Sequence, residues 1–215
     1  MHVVVLGAGA LGSLFGGKLA ASGATVTLVG HESRHLDAIR RHGLTVDGDE
    51  RTTQTVTATT DHDAVAGADW VLVAVKSYDT ADAMADVVDA LDEQSVLTVQ
   101  NGLGNPETIA DFVAPEQVVE HAGSGDTVIG RYFTPNDPEV AVIADALTGA
   151  GIETTVTPEP RAALWEKVLV NVGINAATAL ARVPNGHLVR YASGERLLER
   201  AVEEGVAVAR AEGQS

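Results

Sequence analysis

The sequence predicts an α/β protein, a doubly wound parallel sheet followed by an all-helical region, and three observations indicate this class. Short apolar runs rich in valine alternate with helical segments through the first part of the chain. A glycine-rich turn joins the first of these runs to the first helix. After Pro158-Glu159-Pro160 the alternation stops and long helical patterns begin, so we place a domain boundary near residue 160.

The predicted strands are β-branched, apolar segments bounded by glycine or polar residues, which is typical of strands buried on both faces. In chain order they are His2–Leu6, Thr25–Val29, Asp69–Ala74, Ser95–Val99 and Thr154–Thr157. Val118–Glu120 and Thr127–Ile129 are expected to form a hairpin around Gly123-Ser124-Gly125. The predicted helices run from the glycine-rich turn to about Ala21, over Asp79–Leu91, from Pro138 to near Gly149, over Arg161–Ala181 and over Gly194–Ala211.

Composition excludes several classes of protein. The 215 residues include 30 acidic and 14 basic side chains, and a net charge of -16 argues against binding nucleic acid through a basic face. The absence of cysteine excludes disulfides, cysteine-ligated metals and thiolate nucleophiles. No apolar stretch reaches membrane-spanning length and the N-terminus lacks a basic leader, so we expect a cytoplasmic protein without membrane contact.

The basic residues are unevenly divided between arginine and lysine. Only Lys18, Lys76 and Lys167 are lysines among the 14 basic residues. An acidic surface that avoids lysine indicates adaptation to high salt, a halophilic protein, although an ordinary acidic protein could show the same balance. Where lysine is this rare, each remaining one is a candidate for a role that arginine cannot fill.

The glycine-rich turn reads Gly7-Ala8-Gly9-Ala10-Leu11-Gly12, a G-x-G-x-x-G between a predicted strand and a predicted helix. In a Rossmann-like fold, Gly7 permits the tight turn, Gly9 lets the backbone approach a pyrophosphate, and Gly12 allows close packing of helix on strand. The helix N-terminus then holds the phosphates. The context favours dinucleotide binding over a glycine-rich turn without a ligand.

The end of the second strand bears on the choice of cofactor. An NAD enzyme usually has an acidic residue there, whereas this chain has Gly30. His31 and Arg34 could bind the 2′-phosphate of NADP, whereas the carboxylate of Glu32 favours NAD. We expect NADP.

The same stretch matches the H-E-x-x-H zinc pattern. On a helix, His31 and His35 would share a face and Glu32 would act as general base of a metalloprotease. We expect no metal site, because the stretch lies at the tip of a sheet strand, no third ligand is identifiable and no apolar helix flanks the pair.

A polar stripe interrupts the apolar helix of the second region. Lys167, Asn171 and Asn175 lie four residues apart, within about 80° of arc on a helix that we expect to be largely buried. They could seal a domain interface, or the lysine could extend to water. We favour a stripe that faces a ligand, in which a buried lysine of lowered pKa acts as an acid. The turn at Pro184-Asn185-Gly186 is expected to return Asn185 towards the same cleft.

Two further polar residues end predicted strands. Lys76 follows one strand and Asn101 follows the next, where doubly wound sheets bind ligands. A solvated charge and a plain turn are the alternative interpretations.

With these features the chain resembles the ketopantoate reductase (2-dehydropantoate 2-reductase) family. The likeness is carried by Gly7-Ala8-Gly9-Ala10-Leu11-Gly12, Val75-Lys76, Gln100-Asn101-Gly102-Leu103-Gly104, and Leu164-Trp165-Glu166-Lys167 with Asn171, Asn175 and Pro184-Asn185-Gly186. It implies NADPH-dependent reduction of 2-dehydropantoate, a 2-oxo acid, to pantoate, on the way to pantothenate and coenzyme A. It also implies a dinucleotide-binding domain over 1–160 and a helical substrate and dimerisation domain over 161–215.

The resemblance implies roles by position. Lys167 is the expected proton donor, and the expected substrate contacts are Asn101, Asn171, Asn175 and Asn185. The expected cofactor contacts are Gly7, Ala8, Gly9, Ala10, Leu11, Gly12, His31, Lys76 and Asn101.

The chain departs from the family in two places. Family members continue into a longer helical domain, whereas this chain stops at Ser215. Between Gln117 and Val118 the family usually has a threonine-rich strand and a glycine turn near the nicotinamide, so their absence here is expected to remove a cofactor-contact region. Apolar helices without their partners favour a homodimer. A relative that reduces another 2-oxo acid and a non-catalytic nucleotide-binding remnant are the alternatives.

Overall fold

The structure is a computed structural model that describes residues 1–47, 51–122 and 126–214. These residues form two compact units. The first contains Met1–His121 and Asp126–Pro160, and the second is built mainly from residues 161–214. The tip of the predicted hairpin, Gly123-Ser124-Gly125, lies outside the described residues.

The first unit is organised around an eight-stranded sheet. The strands of the chain are β1 (His2–Leu6), β2 (Thr25–Val29), β3 (Leu44–Val46), β4 (Thr52–Gln54), β5 (Thr57–Thr59), β6 (Trp70–Val73), β7 (Ser95–Thr98), β8 (Val118–Ala122), β9 (Thr127–Arg131) and β10 (Thr154–Val156). Their order in the sheet is β10-β9-β8-β7-β6-β1-β2-β5, while β3 and β4 form a separate antiparallel ribbon. The chain leaves β1 to one side for β2 and later returns to its other side with β6, so a ligand crevice is expected outside the ends of β1 and β6.

Parallel pairing extends through most of the sheet. β5, β2, β1, β6, β7 and β8 run in the same direction, and β10 runs parallel to β9. β8 and β9 are neighbours, and the Tyr132 N–H, just after β9, donates to the carbonyl of Val118 at the start of β8. These two strands therefore run antiparallel, as the predicted hairpin requires.

The helices are α1 (Ala10–Ala21), α2 (Arg34–His42), α3 (Thr80–Ala85), α4 (Asn105–Ala110), α5 (Pro138–Gly149), α6 (Pro160–Ala181) and α7 (Ala192–Ala211). The single helix expected over Asp79–Leu91 is wrong, because α3 ends at Ala85 and a 3₁₀ turn follows at Val88–Ala90. Aspartate and β-branched valine between these two pieces are poor helix formers, which explains the break. The other predicted strands and helices are confirmed to within a few residues.

The two faces of the sheet are covered by different helices. Along β1, Val3 and Val5 pack into a core with Leu19 of α1 and Leu147 of α5. The intervening residues Val4 and Leu6 pack into a second core with Met84 of α3 and Ile109 of α4. Alternate side chains of one strand thus enter opposite cores, which confirms the doubly wound class.

The second unit is helical. Helices α6 and α7 approach closely at small residues, since a Cβ on Gly173 would lie 2.9 Å from Val202 and one on Gly205 would lie 2.7 Å from Leu169. A 3₁₀ turn at Asn185–Arg190 connects them. None of the helices in the described part of the chain is both long and apolar enough to span a membrane.

One arginine is buried at the end of β9. The backbone N–H of Arg131 donates to Asn136 Oδ1 at 2.7 Å, its Nε donates to Asp137 Oδ2 at 3.0 Å, and its Nη2 donates to Glu139 Oε2 at 2.9 Å. Ser95 Oγ of β7 donates to the same Glu139 oxygen at 2.7 Å. The guanidinium therefore joins the sheet to the first turn of α5.

We predict that Arg131→Gln lowers the free energy of unfolding by about 1–3 kcal/mol, because the shorter amide leaves buried polar groups without their partners. Urea denaturation followed by circular dichroism measures this loss. Arg196→Gln, at an exposed position of α7, is the control and should change stability little. Equal stability of both variants would contradict the structural role of Arg131.

Candidate functional site

A cavity of about 830 Å³ opens at the carboxyl ends of β1, β2, β6 and β7. It is lined by eight of the nine expected cofactor contacts, namely Gly7, Ala8, Gly9, Ala10, Leu11, His31, Lys76 and Asn101. The ninth, Gly12, packs behind the turn. Asn101 is also one of the expected substrate contacts, and Lys76 and Asn101 are exposed at the ends of their strands. The first unit thus gathers these residues at one place.

The glycine turn leaves no room for side chains on its inner side. Gly7 has a φ of +107°, and a Cβ there would lie 2.7 Å from the backbone nitrogen of Val75. A Cβ on Gly12 would overlap the carbonyl oxygen of Gly7. Both positions require glycine, the first for its conformation and both for the close approach of backbone segments.

The outer side of the turn is open. A Cβ on Gly9 would meet nothing within 4 Å, and Gly9 is the N-cap of α1 without a capping side chain. Ala10 and Leu11, whose N–H groups are the first of α1, therefore line the cavity. An exposed helix N-terminus beside a side-chain-free surface fits the pyrophosphate of a dinucleotide.

A buried glutamine connects the two loops that carry Lys76 and Asn101. Gln100 Nε2 donates to the Val75 carbonyl at 2.9 Å and to Thr80 Oγ1 at 2.7 Å. Ser77 Oγ donates to the Asn101 carbonyl at 2.9 Å. Gln100, Ser77 and Thr80 were given no site role from the sequence. The signal for Gln100 was its place directly before Asn101 in the Gln100-Asn101-Gly102-Leu103-Gly104 motif that carries the family resemblance.

The adenosine end of such a site is expected at the end of β2. His31, Ser33 and His35 line the cavity there, and a Cβ on Gly30 would lie 3.1 Å from Ala8 Cβ. Arg34, considered as a phosphate ligand, is exposed and does not line the cavity.

The zinc alternative for this stretch is wrong in its geometry. Ser33 is the N-cap of α2, and its Oγ accepts a hydrogen bond from the Leu36 N–H at 3.1 Å. His31 therefore precedes the helix, whereas His35 lies in its first turn with Nε2 3.1 Å from Ser13 Oγ. The zinc pattern requires both imidazoles on one face of a helix, and here they do not share one.

Carboxylates also border the cavity. Asp82 and Asp86, at and just after α3, line it together with His62, whose Nδ1 lies 3.7 Å from Asp86 Oδ2. Glu32 at the end of β2 is instead paired with Arg40 at 2.7 Å. This hydrogen bond is the largest of the effects that raise the pKa of the Arg40 guanidinium.

The polar stripe of the second unit lies on α6. Lys167 and Asn171 are half-buried, Asn175 is exposed, and Asn175 Nδ2 donates to Asn171 Oδ1 at 3.2 Å. The expectation of a largely buried helix is wrong, because Val170 and Val172 are also exposed. Asn185 begins the 3₁₀ turn and is exposed.

Sequence models of one family match both parts of the chain. The model described as ketopantoate reductase PanE/ApbA matches residues 3–122, and the one described as ketopantoate reductase PanE/ApbA C terminal matches residues 160–215. The 2-dehydropantoate 2-reductase of Halobacterium salinarum is 53% identical over 234 residues, covering 100% of this chain and 77% of the relative. Because this chain supplies only 215 residues to that match, the relative contains internal residues that the chain lacks.

Solved structures show the same fold. A PanE/ApbA family ketopantoate reductase from Ralstonia eutropha JMP134 has a TM-score of 0.87 and 33% identity, covering 100% of this chain and 76% of that one. A D-mandelate dehydrogenase in a ternary structure with NADH and anilino(oxo)acetate has a TM-score of 0.87 at 22% identity, covering 99% and 75%, and shows likeness of fold alone.

Two glycine variants separate ligand contact from folding. We predict that Gly9→Ala keeps the melting temperature and weakens dinucleotide binding about tenfold or more, because the new methyl occupies the space next to the pyrophosphate. Gly12→Ala should lower the free energy of unfolding by about 1–3 kcal/mol, because its methyl displaces the Gly7 carbonyl. Calorimetry and nucleotide titration of both variants measure the two effects. Unchanged nucleotide affinity of Gly9→Ala would contradict the placement of the phosphates.

Proposed function

Because the chain belongs to the ketopantoate reductase family, we propose that it reduces the keto group of 2-dehydropantoate with NADPH to give pantoate, a step towards pantothenate and coenzyme A. The observation that carries this proposal is the match of the whole chain, at 53% identity, to a 2-dehydropantoate 2-reductase. The glycine-lined cavity and the Lys167 stripe support it, since they supply a dinucleotide site and an acid.

The proposed division of labour follows the two units. Residues 1–160 serve as the dinucleotide-binding domain, with contacts from the glycine turn, His31, Lys76 and Asn101. Residues 161–215 serve as a helical domain for substrate binding and dimerisation. Exposed apolar side chains on and before α7, among them Tyr191, Leu197 and Val208, support a homodimer.

NADPH, when bound, supplies the hydride that reduces the keto carbon. The keto oxygen then gains negative charge, which the ammonium group of Lys167 stabilises before donating a proton to it. Lysine suits this role better than arginine, because a guanidinium does not release its proton in proteins.

Asn171, Asn175 and Asn185 are the proposed substrate contacts of the second unit. With Asn175 donating to Asn171, the pair can still present an NH₂ group and a carbonyl oxygen to a bound molecule. Such groups suit the carboxylate and hydroxyl of a hydroxylated 2-oxo acid, and they fix its orientation for attack.

NADP is proposed over NAD because the second strand ends in Gly30 rather than an acidic residue and because His31 lines the cavity. The net charge of -16 and the similarity to a Halobacterium salinarum enzyme support a halophilic, cytoplasmic protein.

Another 2-oxo acid is the second candidate substrate, since the amide groups of Asn171 and Asn175 would suit the carboxylate of any such acid. We predict that the purified chain in high-salt buffer oxidises NADPH with 2-dehydropantoate at a higher kcat/KM than with pyruvate or 2-oxoisovalerate. The loss of NADPH absorbance measures each rate. A reversed order would favour the second candidate, and NADPH binding without oxidation by any substrate would indicate a non-catalytic remnant.

We predict that Lys167→Ala lowers kcat about 10²- to 10⁴-fold, because the developing alkoxide loses its proton donor. The dissociation constant of NADPH should stay unchanged. Lys167→Arg should also have a low kcat. Lys18→Arg is the matched control and should keep the parent rate, because arginine retains a donor to the Gly151 carbonyl. Steady-state kinetics and nucleotide titration separate the two effects, and a Lys167→Ala variant with normal kcat would disprove the assignment.

A further inference from the structure

The first carboxylate after β2 is Glu32, close to the expected ribose site. In this fold, a carboxylate near the end of the second strand binds the ribose 2′-hydroxyl of NAD and would repel the 2′-phosphate of NADP. Glu32 is therefore the residue of this chain that opposes the proposed cofactor, and its position needs a physical explanation.

Arg40, a residue of α2, forms an ion pair with this carboxylate. Its Nη1 donates to Glu32 Oε1 at 2.7 Å, the distance of a strong charge-assisted hydrogen bond. Its Nε donates to the carbonyl of Ala58 on β5 at 3.0 Å, and its Nη1 also lies 3.4 Å from Asp37 Oδ1. The guanidinium is thus anchored on the neighbouring strand while it holds Glu32.

The residues on either side of Glu32 in the sequence differ from it in their relation to the cavity. His31 and Ser33 both line the cavity, whereas Glu32 does not. An anion that enters at this end therefore meets an imidazole and a hydroxyl, while the carboxylate between them is directed to Arg40.

We propose that Arg40 is a positioning residue for cofactor specificity, which withdraws Glu32 from the ribose 2′ position so that the site accepts the phosphomonoester of NADPH. Arg40 acts through Glu32 and does not itself contact the cofactor. The inference rests on the proposed function only in requiring that the cavity binds a nicotinamide dinucleotide, and it is independent of the 2-oxo acid that is reduced.

The experiment measures dissociation constants of NADPH and NADH for the full chain, by fluorescence titration of the reduced nicotinamide. In Arg40→Met the freed carboxylate should weaken NADPH binding about tenfold or more, while NADH binding is retained or strengthened. Because both nucleotides are titrated on the same sample, a fraction of unfolded protein does not change the ratio of the two constants.

Two further variants identify the cause. Glu32→Gln alone should leave the ratio near that of the parent chain, since the ion pair already removes the carboxylate from the site. The double variant with Arg40→Met and Glu32→Gln should recover NADPH binding, because no carboxylate remains to be freed. Arg41→Met is the matched control, since Arg41 lies 3.9 Å from Asp37 on the same helix and should leave the ratio unchanged.

Several results would overturn the inference. An unchanged ratio in Arg40→Met, or a parent chain that prefers NADH, would show that Glu32 is not withheld from NADPH. A double variant that stays weak for NADPH would show that Arg40 contacts the phosphate directly. If the parent chain binds neither nucleotide, the proposed function fails as well. That outcome is distinguishable, because every other outcome requires binding of at least one nucleotide.

Discussion

The site depends on one close contact, the meeting of three backbone segments at Gly7. The turn after β1 passes the Val75 nitrogen and the Gly12 backbone passes the Gly7 carbonyl at distances that admit no side chain. This contact fixes the start of α1 against the ends of β1 and β6, and so places Ala10 and Leu11, the first residues of α1, at the cavity. Gln100 extends the same arrangement to β7, because its amide holds the loop before Lys76 against the loop that carries Asn101. The strand ends are thus positioned mainly by backbone contacts, and the exposed side chains remain available for a ligand.

An acidic protein that binds an anionic cofactor faces an electrostatic conflict. With a net charge of -16 and three lysines, this chain offers little general attraction for a polyphosphate. At the cavity the first unit places the start of a helix, histidines and one lysine, together with the carboxylates of Asp79, Asp82 and Asp86. Arg40 is used differently, because it pairs with an acidic neighbour of the site. Lys18 donates to the Gly151 carbonyl at 3.1 Å and so ties α1 to the turn after α5.

The features that could be predicted from the sequence are local ones. β1 and β2 have the predicted bounds because each is a run of apolar, β-branched residues that ends next to glycine. The three-residue strands β3, β4 and β5 were not predicted, since each is short and contains threonine or glutamine rather than a run of apolar residues. The Gln100 amide and the Arg40–Glu32 pair were also missed, because their partners are brought together only by the tertiary fold. The H-E-x-x-H match, for which no metal site was expected, is a match in sequence alone, since Ser33 starts the helix after the first histidine.

The residues that line the cavity lie between Leu6 and Asn101, so the proposed nucleotide site lies in the first half of the chain. The residues expected to act on the substrate are mainly in the second unit, on α6 and the turn that follows it. The Halobacterium relative has internal residues that this chain lacks. They are expected between Gln117 and Val118, which follow the last residue that lines the cavity. Nucleotide binding is expected to depend mainly on the first unit, whereas keto reduction is expected to need both units, since Asn101 is an expected substrate contact at the cavity. A reductase and a nucleotide-binding remnant would share the first function and differ only in the second, so NADPH binding alone cannot distinguish them.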